Sequence, residues 1–215
     1  MYNNADPLTN GEVFVSKFLS NNIKIMFDVG VEDYTYYLTN PNITYHLFEP
    51  VPEYFGKLKE KIKGMSNVIA NNYALGSEKG ERKFYFHGAS FIRRPGAREE
   101  NAVLPIESID NYMANNRIDY VDFVSIDTEG WEYEIVKGAV NSLDKISHLQ
   151  FEYGGTWADG GFKLKDMADI LISKGYEILI IVPDGLYRVT DFNDHFRYCN
   201  YFATRKLEEI KAIIK

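Results

Sequence analysis

One stretch, residues 121–139 (VDFVSIDTEGWEYEIVKGA), constrains the fold of this chain more than any other. It opens with an apolar run over 121–126, and the run ends abruptly in acid at Asp127 and Glu129. Beyond Gly130 the hydrophobic period changes to that of a helix. The stretch therefore predicts a buried strand, a tight acidic turn and an amphipathic helix, the unit from which doubly wound α/β domains are built.

Ligands of such folds bind outside the carboxyl ends of the strands, where Asp127 and Glu129 are expected to lie. Two carboxylates at a strand end are poorly explained by packing, because buried acids need partners. A structural alternative stays open, in which Asp127 or Thr128 caps the following helix. That helix is expected to bury one face and to carry polar residues on the other: Trp131, Ile135, Val136 and Ala139 against Glu132, Glu134 and Lys137.

Strand-like and helix-like segments alternate along the rest of the chain. Further strands are expected at 23–29, 43–48, 68–75, 82–86, 146–151, 176–182 and 198–204. Helices are expected at 11–22, 51–63, 106–116, 162–174 and 206–215, with a short one starting over 34–38. Residues 88–101 are predicted to form a mobile loop over the site, and 183–197 a long polar loop. The alternation predicts a mostly parallel sheet with helices on both faces, and the last two strands place one antiparallel strand at its edge.

Composition narrows the class of protein. The net charge of −7 disfavours a nucleic-acid partner, because such binding depends largely on neutralising phosphates. The single cysteine, Cys199, excludes an internal disulfide and fits a reducing compartment. The sequence shows neither a signal peptide nor an apolar stretch long enough to span a bilayer. We therefore expect a soluble, cytoplasmic protein without a membrane partner.

Four of the expected strands end in an acid: Asp28, Glu49, Asp127 and Glu152. Carboxylates so placed point into one crevice at the carboxyl edge of the sheet. Asp28 and Glu49 are separated by roughly 20 residues, the spacing at which an acid meets the ribose in Rossmann-like domains. A carboxylate suits a ribose because it accepts two hydrogen bonds from a vicinal diol. Gly30 lets the backbone approach such a ligand closely.

Neither G-x-G-x-x-G nor G-x-x-x-x-G-K-[ST] occurs in the sequence. A pyrophosphate-binding loop is therefore not supported, which argues against NAD and ATP and leaves a nicotinamide oxidoreductase as a disfavoured alternative. A ligand with a ribose, no phosphate and a positive charge near Asp28 fits better. S-adenosylmethionine, which joins a sulfonium, an amino acid and an adenosine, has this chemistry.

Four motifs carry a resemblance to a known family: DVG at 28–30, FEP at 48–50, NYALG at 72–76 and IDTEGWEYEIVKGA at 126–139. Over roughly residues 23 to 153 the chain resembles the FkbM family of S-adenosylmethionine-dependent methyltransferases. The resemblance implies the class I methyltransferase fold, a seven-stranded sheet with the last strand antiparallel, and O-methylation of sugar or polyketide hydroxyls. Residues 1–215 are then expected to form one methyltransferase domain, with 1–22 as an N-terminal helical extension. The family's usual company adds the hypothesis that the domain belongs to a longer polypeptide with a glycosyltransferase.

The resemblance also assigns roles by position. Asp28, Gly30 and Val31 are expected at the amino-acid end of the cofactor, Glu49 and Pro50 at the ribose, Asn72, Tyr73 and Ala74 at the adenine, and Asp127 facing the methyl group. The first loop departs from the family pattern, because it runs DVGVEDYTYY where a second glycine is usual. Either the backbone bulges there or Tyr34 stacks on a ligand. A degenerate module that binds a partner without catalysis therefore remains an alternative.

Methyl transfer from a sulfonium is a direct displacement, so alignment of the acceptor oxygen with the methyl group supplies much of the catalysis. A general base near the acceptor helps, because a protonated alcohol is a poor nucleophile. Asp127 is the expected base or positions the hydroxyl, with Glu129 or Glu152 assisting, since a like-charged neighbour raises a carboxyl pKa. A divalent cation held by Asp127 and Glu152 is a second interpretation, since such ions prefer oxygen ligands.

Other side chains are weaker candidates. His87, His195 and Ser90 lie in or near loops and are alternative contacts to the acceptor, whereas His46 and His148 lie within strands and are expected to be structural. Aromatic residues at the predicted edge are candidates for packing on a sugar: Tyr153, Trp157 and Tyr187. Arginines of the basic loop are candidates for binding a phosphate, although a solvated loop is favoured for them: Arg93, Arg94 and Arg98.

Overall fold

The computed structural model describes residues 5–32, 35, 37–96 and 100–215, and within them the chain forms eleven strands and seven α-helices. The strands are β1 (Ile25–Val29), β2 (Thr44–Phe48), β3 (Val68–Asn71), β4 (Ala74–Leu75), β5 (Gly80–Tyr85), β6 (Asn101–Glu107), β7 (Val121–Ile126), β8 (Ile146–Tyr153), β9 (Glu177–Val182), β10 (Gly185–Arg188) and β11 (Cys199–Thr204). The helices are α1 (Glu12–Leu19), α2 (Pro52–Lys61), α3 (Ile109–Asn116), α4 (Glu132–Lys137), α5 (Gly155–Gly160), α6 (Leu164–Ser173) and α7 (Leu207–Ile210).

A central sheet of eight strands organises the molecule, in the order β10-β9-β11-β8-β7-β1-β2-β3. The five strands from β3 to β8 in that order run parallel to their neighbours. β11 runs antiparallel to both β8 and β9. The predicted seven-stranded, mostly parallel sheet is therefore present, and β10 extends it by one strand.

The antiparallel strand lies inside the sheet rather than at the predicted edge, because β11 inserts between β8 and β9. The edge itself is a hairpin in which β10 returns along β9 after the two residues Pro183 and Asp184. The prediction of a loop over 183–197 is therefore wrong for Gly185–Arg188. A Pro-Asp-Gly sequence between two apolar runs is a turn signal, so this hairpin could have been predicted from the sequence.

A second, three-stranded sheet of order β4-β6-β5 stands beside the first. The strand predicted at 82–86 belongs to this sheet, where β5 pairs antiparallel with β6. Residues 101–107 form β6, a strand that the sequence analysis did not predict, and the helix predicted from residue 106 begins only at Ile109. The side chain of Ser108 caps that helix by accepting a hydrogen bond from the backbone N–H of Asn111 at 3.2 Å, and serine is a preferred residue at this position.

Helices cover both faces of the central sheet, as predicted. On one face α3, α4 and α6 bury apolar side chains against the sheet, and on the other α1, α2 and α7 do so. The connection between β1 and β2 differs from the prediction, because the described residues Thr35, Tyr37 and Leu38 form a turn and not a helix. Tyr34 lies outside the described residues. Within those residues, each helix is too short or too polar to cross a membrane.

Gly138, which follows α4, makes a close backbone approach that we expect to be intolerant of any side chain. A Cβ at this position would lie 1.9 Å from the carbonyl oxygen of Gly76, although the backbone φ of −75° is ordinary. We expect Gly138→Ala to lower the free energy of unfolding by about 2 kcal/mol or more, because overpacking forces backbone shifts. Urea unfolding of the purified protein measures the change.

Gly56 in the middle of α2 provides the matched control. A Cβ at Gly56 would have no atom within 4 Å, and alanine is the better helix former. We expect Gly56→Ala to raise the free energy of unfolding by about 0.5–1 kcal/mol. Equal effects of the two substitutions would contradict the close approach.

Candidate active site

A cleft of about 300 Å³ opens at the carboxyl ends of β1, β2 and β7. Its polar lining includes the backbone at Gly30 and the side chains of Glu49 and Asp127. Its other walls are largely aromatic: Phe48, Tyr54, Phe84, Phe91 and Trp131. This aromatic lining was not predicted from the sequence. Most of these residues come from other elements, and the β-strand pattern alone does not place them near the edge of the sheet.

A smaller recess of about 80 Å³ adjoins the cleft. Asp28 and Val31 line the recess, and Gly30 and Asp127 line both spaces. The recess also receives Glu12 from α1, a residue that the sequence analysis assigned no role. The acidic side chains of the recess therefore adjoin the aromatic walls of the cleft.

The residues predicted to bind a cofactor divide into three groups. Gly30, Glu49, Pro50, Ala74 and Asp127 line the cleft, and Asp28 and Val31 line the recess. Asn72 and Tyr73 line neither space. The amide of Asn72 donates to the carbonyl oxygen of Glu49 at 2.9 Å and to that of Pro50 at 3.2 Å, and the ring of Tyr73 packs on Phe48. The structure therefore gives Asn72 and Tyr73 a supporting position behind the cleft.

Position 30 requires a glycine because its backbone contacts the neighbouring acidic turn. Its φ is +89°, and a Cβ there would lie 1.8 Å from the carbonyl oxygen of Asp127. The backbone N–H of Asp127 donates to the carbonyl oxygen of Val29 at 3.0 Å. The backbones of the first loop and the acidic turn are thus in direct contact. Position 30 therefore needs a glycine for this contact as well as for the predicted close approach of a ligand.

Glu49 ends β2 with its carboxylate held in place by the backbone. One oxygen accepts the N–H of Val51 at 2.6 Å and the other accepts the N–H of Glu32 at 2.8 Å. Burial raises the pKa of Glu49 to about 7, against these two hydrogen bonds, which lower it. Each carboxylate oxygen has a second lone pair, so the group retains acceptor capacity toward the cleft that it lines.

Glu132 holds the acidic turn together. The side chain is fully buried, contrary to its predicted place on the polar face of the helix. One of its oxygens accepts from the N–H of Thr128 at 2.8 Å, from the hydroxyl of Thr128 at 3.0 Å and from the N–H of Gly130 at 3.1 Å. Neither Asp127 nor Thr128 caps α4 through its side chain. A glutamate in the first turn of a helix that reaches back to preceding N–H groups is a recognised pattern, and it is the signal that the sequence analysis missed.

Asp127 directly follows β7 and Glu152 lies in β8, and the parallel register of Ile126 with Phe151 makes the two acids neighbours. Burial raises the pKa of Glu152 strongly, and the charge of the neighbouring Asp127 raises it further. Glu152 therefore keeps its proton at neutral pH. Glu129, predicted to assist, instead forms an ion pair with Arg94 at the rim, where both side chains are partly exposed.

The other predicted contacts lie away from the cleft. His46 and His148 are buried within β2 and β8 and bond to Tyr112 and Thr204, as a structural role requires. His195 bonds to the hydroxyl of Tyr201, and neither His195 nor His87 lines the cleft. Tyr153 and Trp157 are fully buried in the core, and Tyr187 lies on the edge strand β10. Packing thus accounts for the two buried aromatic residues.

The loop after β5 covers one side of the cleft, although its described part is packed rather than free. The ring of Phe91 lies 5.1 Å from that of Phe84 and 5.4 Å from that of Trp131. Ser90 is buried, and its hydroxyl accepts the N–H of Ile92 at 3.1 Å. Arg98 lies outside the described residues.

A family model for the methyltransferase FkbM domain matches residues 22–178, which is well over half of the chain. The chain belongs to the FkbM methyltransferase family. This is the family that the four motifs of the sequence resemble. No curated protein matches the sequence of this chain.

Solved structures agree with the fold. An FkbM methyltransferase from Methylobacillus flagellatus has a TM-score of 0.55 and 17% identity, over 84% of this chain and 43% of that protein, so this chain spans less than half of that relative. A Streptococcus mutans protein assigned as a methyltransferase, in complex with S-adenosylhomocysteine, has a TM-score of 0.52 and 8% identity over 90% of this chain and 97% of its own. An rRNA methylase from Streptococcus thermophilus has a TM-score of 0.50 and 9% identity over 89% of this chain and 93% of its own. At these identities the likeness shows the class I methyltransferase fold alone.

Within the described part of the chain, no group of three or more His, Cys, Asp or Glu side chains is arranged to hold a metal ion. The divalent cation considered for Asp127 and Glu152 thus stays a hypothesis.

The buried acids predict an unusual dependence of stability on pH. Burial raises the pKa of Glu12, Asp28, Glu49 and Glu132 to about 7, whereas the unfolded chain titrates near pH 4. The folded protein binds these protons more tightly, so the stabilisation is present below about pH 4 and is lost as the pH rises through about 7. We expect the free energy of unfolding to fall between about pH 5 and pH 8.

Glu152→Gln isolates one contribution to that profile. Glutamine keeps a donor for Asp127 but cannot titrate. The decrease in the free energy of unfolding between about pH 5 and pH 8 should therefore be smaller in the variant than in wild type, by about 1 kcal/mol or more. Urea unfolding at several pH values measures both profiles. A wild-type stability that rises over this interval would overturn the assignment of raised pKa values.

Proposed function

We propose that the chain is an S-adenosylmethionine-dependent O-methyltransferase that acts on a hydroxyl group of a sugar or glycan. The observation that carries the proposal is the position of Asp127, which lines the cleft and has Glu152 beside it on the neighbouring strand. A carboxylate at this position is able to accept a proton from a hydroxyl bound in the cleft.

The cleft and recess fit the chemistry of S-adenosylmethionine. Glu49 retains acceptor capacity for the ribose hydroxyls at the end of β2. The acidic recess with Asp28 suits a cationic amino-acid end, and the apolar walls of Phe48 and Phe84 suit the flat adenine. When bound, S-adenosylmethionine supplies an electrophilic methyl group.

The residues around Asp127 then have two tasks. They hold the acceptor hydroxyl in line with the methyl group, and they remove its proton as the new oxygen–carbon bond forms. The carboxylate of Asp127 would accept the proton of the acceptor hydroxyl, and bound S-adenosylmethionine would supply the methyl group. Glu152 keeps its own proton beside Asp127, so we assign it a positioning role rather than that of the base.

The aromatic wall supports a sugar as the acceptor. Phe91 and Trp131 line the same cleft as Asp127, and their ring centroids lie 5.4 Å apart. Aromatic rings pack on the apolar face of a sugar, and the carboxylate provides the polar contact to its hydroxyls. The ion pair between Arg94 and Glu129 lies at the rim of the same opening.

Asp127→Asn tests the proposed base. We expect kcat to fall by about 100-fold or more, since a positioned general base contributes on this scale, while the affinity for S-adenosylmethionine changes little. Steady-state kinetics and calorimetry measure the two quantities. Glu152→Gln serves as the matched variant, because it keeps a neutral side chain of the same size beside Asp127 and should retain most of the activity. An Asp127→Asn enzyme with unchanged turnover would refute the role.

Acceptor identity is tested with a panel of sugars, each paired with a derivative whose hydroxyls are blocked, and with aminosugars. We expect mass spectrometry to find the methyl group on oxygen and only on the unblocked sugars. The same assay with a chelator, and then with added magnesium, tests the divalent-cation hypothesis. Methylation of an amine, or binding of S-adenosylmethionine without transfer to any sugar, would contradict the proposal, and the second result would favour the non-catalytic module.

A further inference from the structure

Residues 5–19 form one wall of the cleft although they precede the family-matched region at 22–178. Ala5, Pro7 and Glu12 line the cleft. The start of α1 is fixed to the sheet, because Gly11 with a φ of +106° lies so close to Val182 that a Cβ would be 2.1 Å from its carbonyl oxygen. The predicted N-terminal helical extension therefore contributes residues to the lining of the cleft.

Glu12 is held by three amide side chains, one from the nearby Asn10 and two from distant strands of the sheet. Asn10 and Asn200 donate to one carboxylate oxygen, and Gln150 donates to the other at 3.4 Å. These donors are neutral, so they orient the carboxylate without cancelling its charge. The same side chain lines the cleft and the recess, and it therefore stands at the junction of the two spaces.

The junction concentrates negative charge. Burial raises the pKa of Glu12 to about 7, and the charges of Asp127 and Asp28 raise it further. Among the described residues, no ion pair reaches Glu12, Asp28 or Asp127. A ligand cation placed here would be attracted by all three carboxylates and would relieve their mutual repulsion.

We propose that Glu12 binds the α-ammonium group of S-adenosylmethionine at the junction of the cleft and the recess. This inference rests on the proposed function and extends its site to a residue outside the family-matched region. The ammonium is favoured over the sulfonium because it carries three N–H donors that a carboxylate accepts, whereas the sulfonium carries none. Glu49, which follows β2 and is proposed for the ribose of the adenosine, lines the same cleft.

Three ligands distinguish the charges. S-adenosylmethionine has both the ammonium and the sulfonium, S-adenosylhomocysteine has the ammonium alone, and 5′-methylthioadenosine has neither. Glu12→Gln preserves the size of the side chain and an oxygen for the Asn10 and Asn200 amides. We expect the variant to bind the first two ligands about ten-fold more weakly in calorimetry, since a charge-assisted hydrogen bond is lost, and to bind the third as wild type does.

Glu60→Gln provides the control for loss of one negative charge, because Glu60 is exposed on α2 and lines none of the spaces described. We expect its affinities to match those of wild type for all three ligands. The midpoint of thermal unfolding, measured for each variant, reports any damage to the fold.

Four outcomes would overturn the inference. Unchanged binding of all ligands by Glu12→Gln would remove the role, and equal weakening of all three would show a purely structural residue. Weakening of S-adenosylmethionine alone would reassign Glu12 to the sulfonium. Failure of the wild-type protein to bind any of the three would instead overturn the proposed function itself, and with it this inference.

Discussion

The site depends on a contact between two pieces of backbone. The first loop and the acidic turn come from neighbouring parallel strands, and Gly30 and Asp127 meet where a Cβ would lie 1.8 Å from a carbonyl oxygen. The N–H of Asp127 bonds to Val29 in the same place. Because both segments are fixed to each other by main chain, the side chains of Asp127 and Glu49 are fixed relative to one another with few degrees of freedom.

Around this contact the protein buries more carboxyl groups than the neighbouring groups neutralise. Glu49, Glu132 and Glu12 are satisfied mainly by backbone N–H groups and neutral amides, while Glu152 is satisfied by keeping its proton. Neutral donors orient a carboxylate and leave its field intact. An arrangement of this kind sacrifices some stability of the empty protein in favour of a site that is complementary to positive charge.

Much of this site could be predicted from sequence because its signals are local. An acid at the end of each apolar run is visible in the chain itself, and it placed Asp28, Glu49, Asp127 and Glu152 at one edge of the sheet. The burial of Glu132 was not predicted, because hydrophobic periodicity indicates which residues of a regular helix are exposed and does not describe the geometry of its first turn. The role of Glu12 depends on Asn200, nearly the whole length of the chain away, and no pattern in a single sequence links two such positions.

The insertion of β11 between β8 and β9 has a consequence for the order in which the protein forms during synthesis. β9 emerges from the ribosome before β11, but its only route into the parallel part of the sheet is through β11. The strand pair β9 and β10 therefore lacks its hydrogen-bonded neighbour in the sheet until residues 199–204 are made, and contacts so far apart in sequence form slowly. Since Asn200 on that last strand also orients Glu12, the acidic wall is completed only at the step that closes the sheet, so an incompletely synthesised chain has the motifs of the family but lacks the finished site.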